Sequence, residues 1–243
     1  MSLQNHHAVI VGGTSGIGLA TAKLFLSQGA QVTVASRSQE KVNATLHELG
    51  PKAQGYAMDF QDESQTKQFF EKVSDFDHLV VTAAGGGSSH GSFRALGIDV
   101  ARAEFESKFW GQYTTVKAAL PFISKSGSIT LTSGAAAARP MKGASTLVAI
   151  NSAIEGLARA LAMDLAPIRV NVVSPGVVDT PVFSEIDAKS REAMFEKIAQ
   201  SVLLQHVAKP EEIAEAYVYL ATNTYTTGAV LQVEGGAILS GIG

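Results

Sequence analysis

The stretch Val9-Ile10-Val11-Gly12-Gly13-Thr14-Ser15-Gly16-Ile17-Gly18 decides the fold. It runs from a β-branched apolar strand through glycines into the helical pattern Ile17 to Gln28. Glycine is needed where backbone turns sharply and must approach a phosphate with no Cβ in the way, and the helix start offers unpaired N–H groups to the anion. In this strand–turn–helix setting, Val11 to Gly18 reads as a cradle for the pyrophosphate of a nicotinamide dinucleotide, with Gly12, Thr14, Ser15, Gly16, Ile17 and Gly18 as its contacts. The next strand ends Val34-Ala35-Ser36-Arg37-Ser38, where the adenosine ribose is read. An acid there would accept from a 2′-hydroxyl, whereas Ser36, Arg37 and Ser38 offer donors to a 2′-phosphate, so the expected cofactor is NADP(H).

Working outward, short apolar runs alternate with longer helical patterns, as in a parallel sheet wound on both faces. Seven strands are expected at His7–Val11, Gln31–Ala35, Ala53–Met58, His78–Val81, Ser128–Thr132, Arg169–Val173 and Val230–Val233. Helices are expected at Ile17–Gln28, Gln39–Leu49, Glu63–Val73, Val100–Ile123, Thr146–Leu165 and Glu211–Thr222. Gly29, Gly50 and Pro210 supply boundary signals. Neither a Pro/Gly cluster nor a repeat divides the chain. The reading is an α/β protein: one doubly wound Rossmann domain over 1–243, with a seven-stranded, mostly parallel sheet. Val182 to His206 fits neither pattern and reads as an amphipathic lid over the carboxyl ends of the strands, where such sheets bind ligands.

Composition narrows the classes. The chain has 243 residues, 46% of them hydrophobic, which suffices for a full core. No apolar stretch of membrane-spanning length lacks charges and no secretory signal is visible, so a cytoplasmic protein with no membrane partner is expected. The absence of cysteine excludes disulfides and thiolate metal sites. A net charge of -3 without basic runs gives no footprint for nucleic acid. His6 and His7 have no third ligand nearby, so no metal is expected; they read as ordinary edge residues, or as following an artificial addition around Met1 to Leu3.

These residues resemble, in sequence order, the short-chain dehydrogenase/reductase family over nearly the whole chain. Gly12 to Gly18 is similar to that family's TGxxxGxG loop, with Val11 in place of the threonine. Asp59 stands where the family contacts adenine, and Ala83-Ala84-Gly85 where it has Asn-Ala-Gly. Arg169 to Gly176 resembles the segment leading to the nicotinamide, which implies cofactor contacts for Pro175, Gly176, Val178 and Thr180. Gly228 to Gly236 resembles the last strand and its Asp-Gly-Gly turn. The resemblance also implies a small-molecule carbonyl or alcohol substrate, and a homodimer or homotetramer formed through the two long helices.

The family's Asn-Ser-Tyr-Lys tetrad has no counterpart. Its serine falls on Gly134, its tyrosine on Leu147, its lysine on Asn151 and its asparagine on Lys108, and no tyrosine lies between Tyr113 and Tyr217. Hydride exchange with a carbonyl needs a proton delivered to the oxygen, and leucine cannot deliver one. Ser133 and Thr132 either hydrogen-bond the carbonyl or cap the strand and touch nicotinamide. Asn151 either holds the ribose or is an ordinary helix residue. Lys108 either returns an ammonium to the site or snorkels to solvent. Arg139, Lys142 and His90 either meet an acidic substrate or are solvated loop residues. Three functions are consistent with this pattern: an oxidoreductase with a non-standard proton donor drawn from Ser133, Lys108 and Asn151, a non-catalytic NADP(H)-binding sensor or scaffold, or an oligomeric interaction protein that binds no cofactor.

Overall fold

In the computed structural model, which describes residues 3–83 and 91–240, the β-branched runs become seven strands. These are β1 (His7–Val11), β2 (Gln31–Ser36), β3 (Ala53–Ala57), β4 (Phe76–Val81), β5 (Ile123–Thr132), β6 (Arg169–Pro175) and β7 (Val230–Val233). They form one sheet in the order β3-β2-β1-β4-β5-β6-β7, and every pairing is parallel. Strand order reverses between β1 and β4, so the loop after β1 opens into the crevice at that switch point.

Among the described residues eight α-helices connect the strands: α1 (Gly16–Ser27), α2 (Gln39–Leu49), α3 (Glu63–Val73), α4 (Ile98–Glu104), α5 (Gly111–Ala119), α6 (Ser145–Asp164), α7 (Ala188–Gln200) and α8 (Pro210–Thr222). Side chains of β1 alternate between the two faces, as strand geometry requires. Ala8 and Ile10 join a core with Phe25 of α1 and Tyr217 of α8, while Val9 and Val11 join the opposite core with Phe70 of α3 and Ile150 and Ile154 of α6. Leu3, in the segment that could have been an artificial addition, is buried in the first of these cores, and its N–H donates to Gln28 O.

The helix expected over Val100 to Ile123 is not continuous. Between α4 and α5, Phe105–Trp110 widens into a π-turn, and Ile123 already belongs to β5. The expected lid begins with a 3₁₀ turn at Pro181–Phe183 and carries α7, whose N-cap Asp187 accepts from Ser190 N–H. Among the described residues α6 alone is long and apolar enough to cross a membrane, but it packs on β6 and carries Glu155, Arg159 and Asp164.

Candidate active site

The glycine loop closes on itself so tightly that side chains are excluded. Gly12 has φ +91°, and a Cβ there would lie 2.6 Å from Ala83 N; one on Gly18 would meet Gly12 O. Ser15 caps α1 without a side-chain hydrogen bond, and among the described residues no hydroxyl or carboxylate caps the N–H groups of the first turn. The loop after β6 folds over the same cradle: a Cβ on Gly16 would sit 3.0 Å from Thr180 Cγ2. The structure thus brings Gly12, Thr14, Ser15, Gly16, Ile17, Gly18, Ala83 and Thr180 to one crevice. Gly176 donates to Val233 O, and the Val178 side chain is buried in the core. Val178 bridges Ala208 through its neighbours, Asp179 N–H donating to Ala208 O and Ala208 N–H to Val177 O, so its own N–H and C=O point the other way.

Arg37 is exposed at the tip of β2 and enters no ion pair among the described residues. Ser38 accepts from Lys41 N–H as the N-cap of α2, which leaves its hydroxyl proton free to donate outward. Asp59 accepts from Gln61 N–H at the end of β3. Ala84, Gly85 and His90 lie outside the described residues.

Thr132, expected either at the cofactor or as a cap of the strand end, turns its side chain inward. Its hydroxyl lies 2.6 Å from Val81 O and 2.7 Å from the buried Tyr217 hydroxyl, so this side chain ties β4, β5 and α8 together inside the protein. Ser133 likewise turns inward: its hydroxyl donates to Glu155 Oε1 at 3.0 Å.

Lys108 does not snorkel. From the π-turn its ammonium donates to Asn151 Oδ1 at 2.7 Å and to Ser133 O at 2.9 Å. Burial pushes this lysine down to about 8, against an upward pull from the Glu104 carboxylate. Glu104 lies one helical turn before it and has a buried Oε1 without a hydrogen-bond partner. Asn151 is buried, with its amide nitrogen beside Gly134: a Cβ on Gly134 would lie 3.0 Å from Nδ2. Leu147 is half-buried in the first turn of the same helix. Three expected residues, Lys108, Ser133 and Asn151, therefore meet at the end of β5. Two were missed, Glu104 and Glu155. Their signal was the i, i+4 spacing that puts Glu104 on the face of Lys108 and Glu155 on the face of Asn151.

Fold and cradle define a doubly wound, nucleotide-binding type of α/β protein. The family described as enoyl-(acyl carrier protein) reductase matches residues 11–237. The short-chain dehydrogenase/reductase ATR9 of Stachybotrys chlorohalonatus is 35% identical, over 98% of this chain and 99% of its own. The 3-oxoacyl-[acyl-carrier-protein] reductase FabG of Thermotoga maritima is 28% identical over 98% of this chain and 100% of its own. Among solved structures, a small-chain dehydrogenase in complex with NADPH is 35% identical with a TM-score of 0.85, covering 98% of this chain and 100% of that one. The MalC reductase/Diels-Alderase of Malbranchea aurantiaca is 30% identical with a TM-score of 0.89, covering 98% of both chains. The chain belongs to the short-chain dehydrogenase/reductase family.

Proposed function

We propose that this protein is an NADP(H)-dependent oxidoreductase acting on a carbonyl or alcohol substrate, with Lys108 supplying the charge and the proton that a tyrosine–lysine pair supplies in the family. The observation that carries the reading is the convergence of Lys108 Nζ on Asn151 Oδ1 and Ser133 O at the end of β5. Relative to the family pattern, cation and amide have changed places: Lys108 stands at the asparagine position and Asn151 at the lysine position. The positive charge is thereby kept between the two helices although Leu147 removes the phenol.

The cradle suits the cofactor, because its glycines allow the tight backbone turn that aims N–H groups at a phosphate and α1 begins without a side-chain cap. Arg37, Ser36 and Ser38 would hold the 2′-phosphate, and the backbone of Val178 would face the carboxamide. Bound there, NADP(H) would supply or accept the hydride. Lys108, held by two acceptors, would donate to the substrate oxygen as charge develops on it, and the neutral amide of Asn151 would fix the ammonium in place. Ser133, turned onto Glu155, would position the carbonyl that Lys108 grips.

A second copy of the chain is proposed on the side of α5 and α6. Trp110, Tyr113 and Met163 are exposed there, and Ala149, Gly156 and Ala160 of α6 are exposed small residues.

Titration of wild-type and Arg37→Ala protein with NADPH and NADH, then NADPH turnover against a panel of ketones and aldehydes, tests the proposal. Arg37→Ala is expected to weaken NADPH by about tenfold or more while leaving NADH unchanged, since a charged hydrogen bond is worth about 1.5–3 kcal/mol. Equal losses for the two dinucleotides would overturn the 2′-phosphate assignment. NADPH binding without turnover on any compound would favour the sensor or scaffold reading, which the leucine at position 147 motivates.

A further inference from the structure

The β5–α6 loop, the end of the lid and the C-terminal turn line an open cleft of about 390 Å³, within the range of small-ligand sites. Its lining is Arg139, the turn Gln200 to Leu203, Gln205 and Ser240. Arg139 is the sole charged group in that lining and pairs with no carboxylate among the described residues. Its hydrogen bonds go to Ala237 O and to Ser240 Oγ, the latter at 2.7 Å, and both use Nη1. A guanidinium has five donors, and those on Nη2 and Nε, a fork that matches a carboxylate, make no hydrogen bond among the described residues.

The rest of the wall is amide, hydroxyl and the aliphatic side chains of Val202 and Leu203. Chain neighbours of the lining extend this apolar character, for Met141, Leu204 and Leu239 are all exposed. One cation without a second, set among neutral donors and alkyl groups, fits a singly charged acid on an apolar body. A phosphate or pyrophosphate would call for more charge.

We propose that this cleft is the specificity end of the substrate site, and that Arg139 binds the carboxylate of a substrate whose body is aliphatic. The assignment rests on the oxidoreductase reading for the word substrate, but the acid site itself is testable without turnover. Each loop that forms it leaves the carboxyl edge of the sheet, the edge that carries the glycine cradle and Lys108.

Isothermal titration with octanoate and with 1-octanol, in the absence and presence of NADPH, reads the site directly. Octanoate is expected to bind wild type at least about tenfold more tightly than octanol, and Arg139→Met to remove that preference. Arg139→Lys should keep part of it, because the charge stays and the fork is lost. Should Arg139→Met fail to fold, Gln200→Glu serves: it leaves Arg139 in place, adds a carboxylate to the cleft and should weaken octanoate comparably. Equal octanoate affinity in wild type and the folded variants, or octanol binding as tightly as octanoate, would overturn the proposal. NADPH titrated into the same samples reports separately on the cofactor assignment, so a failure of either reading is visible alone.

Discussion

At the scale of single residues, protonation of Lys108 sets the expected pH behaviour. Burial lowers it to about 8 and Glu104 opposes the shift, so the ammonium form, which donates to Asn151 and Ser133 O, is lost as pH rises through about 8. If that ammonium is the proton donor, kcat for carbonyl reduction holds below this value and falls above it. Lys108→Met should lower kcat by roughly 10²- to 10⁴-fold and remove the inflection, and Lys108→Arg should move the fall to higher pH. Rates measured over about pH 6 to 10 check this; a methionine variant with the wild-type profile would rule Lys108 out as donor. How far these residues could be read from sequence depended on what fixes them. Lys108 and Asn151 were legible because family order assigns their positions. Their mutual bond was not, since it depends on how two helices face each other. The inward turn of Ser133 was hidden for the same reason: Glu155 lies 22 positions away and meets it only once α6 packs on the sheet.

Elements were legible where a local signal ended them. Gln39–Leu49 and Glu63–Val73 are read to the residue, and each starts on a side chain that caps it, Ser38 or Asp62. The break at Phe105–Trp110 carries no proline or glycine within it, and a π-turn leaves the apolar pattern intact while rotating the helix beyond it. That rotation accompanies the inward course of Lys108, so the feature least visible in sequence lies beside the site. The glycine loop is the opposite case, legible at once and testable as a unit. Gly12→Ala must place a Cβ 2.6 Å from Ala83 N at φ +91°, whereas Gly50→Ala has a similar φ of +80° and nothing within 4 Å. Both variants bear the backbone strain, of order 1 kcal/mol or more, but only the first adds a collision with main chain. Urea unfolding with NADPH titration should therefore show Gly12→Ala losing at least about 2 kcal/mol and its cofactor affinity, with Gly50→Ala binding normally. Equal behaviour of the two would mean that the cradle tolerates a side chain.

Across the whole molecule, strand number, parallel pairing and the position of the crevice follow from the β–α alternation, because parallel strands need crossovers and the crossovers are helices. The amino-terminal edge of the sheet was less legible, since nothing local says that residues 6, 78 and 128 will meet. There His78, 2% exposed on β4, lies with Nε2 2.9 Å from His6 Nδ1 and Nδ1 2.8 Å from Ser128 Oγ, and its ring stacks on that of His6. Burial first, then His6, lowers His78 to about 4; Arg169 acts in the same direction and Asp77 against it. In the unfolded chain the imidazole takes a proton near its ordinary value of about 6.5, while in the native protein it stays neutral down to about 4. Between those values the unfolded state binds more protons, so native stability falls as pH drops from about 6.5 toward 4 and is unaffected by this group at neutral pH. The full effect is about 3 kcal/mol. Asp62 and Asp187, both held below the usual carboxylate range by hydrogen bonds, lose their stabilising effect only at lower pH and do so in any variant. His206, raised by its bonds to Leu204 O and Glu212, works in the opposite direction and is also common to both proteins. His78→Gln keeps a polar side chain at this position and removes the titration. Urea midpoints at about pH 7 and pH 4.5 should then show a loss in wild type that exceeds the loss in the variant by about 2–3 kcal/mol, and parallel losses would place the acid sensitivity of the fold elsewhere.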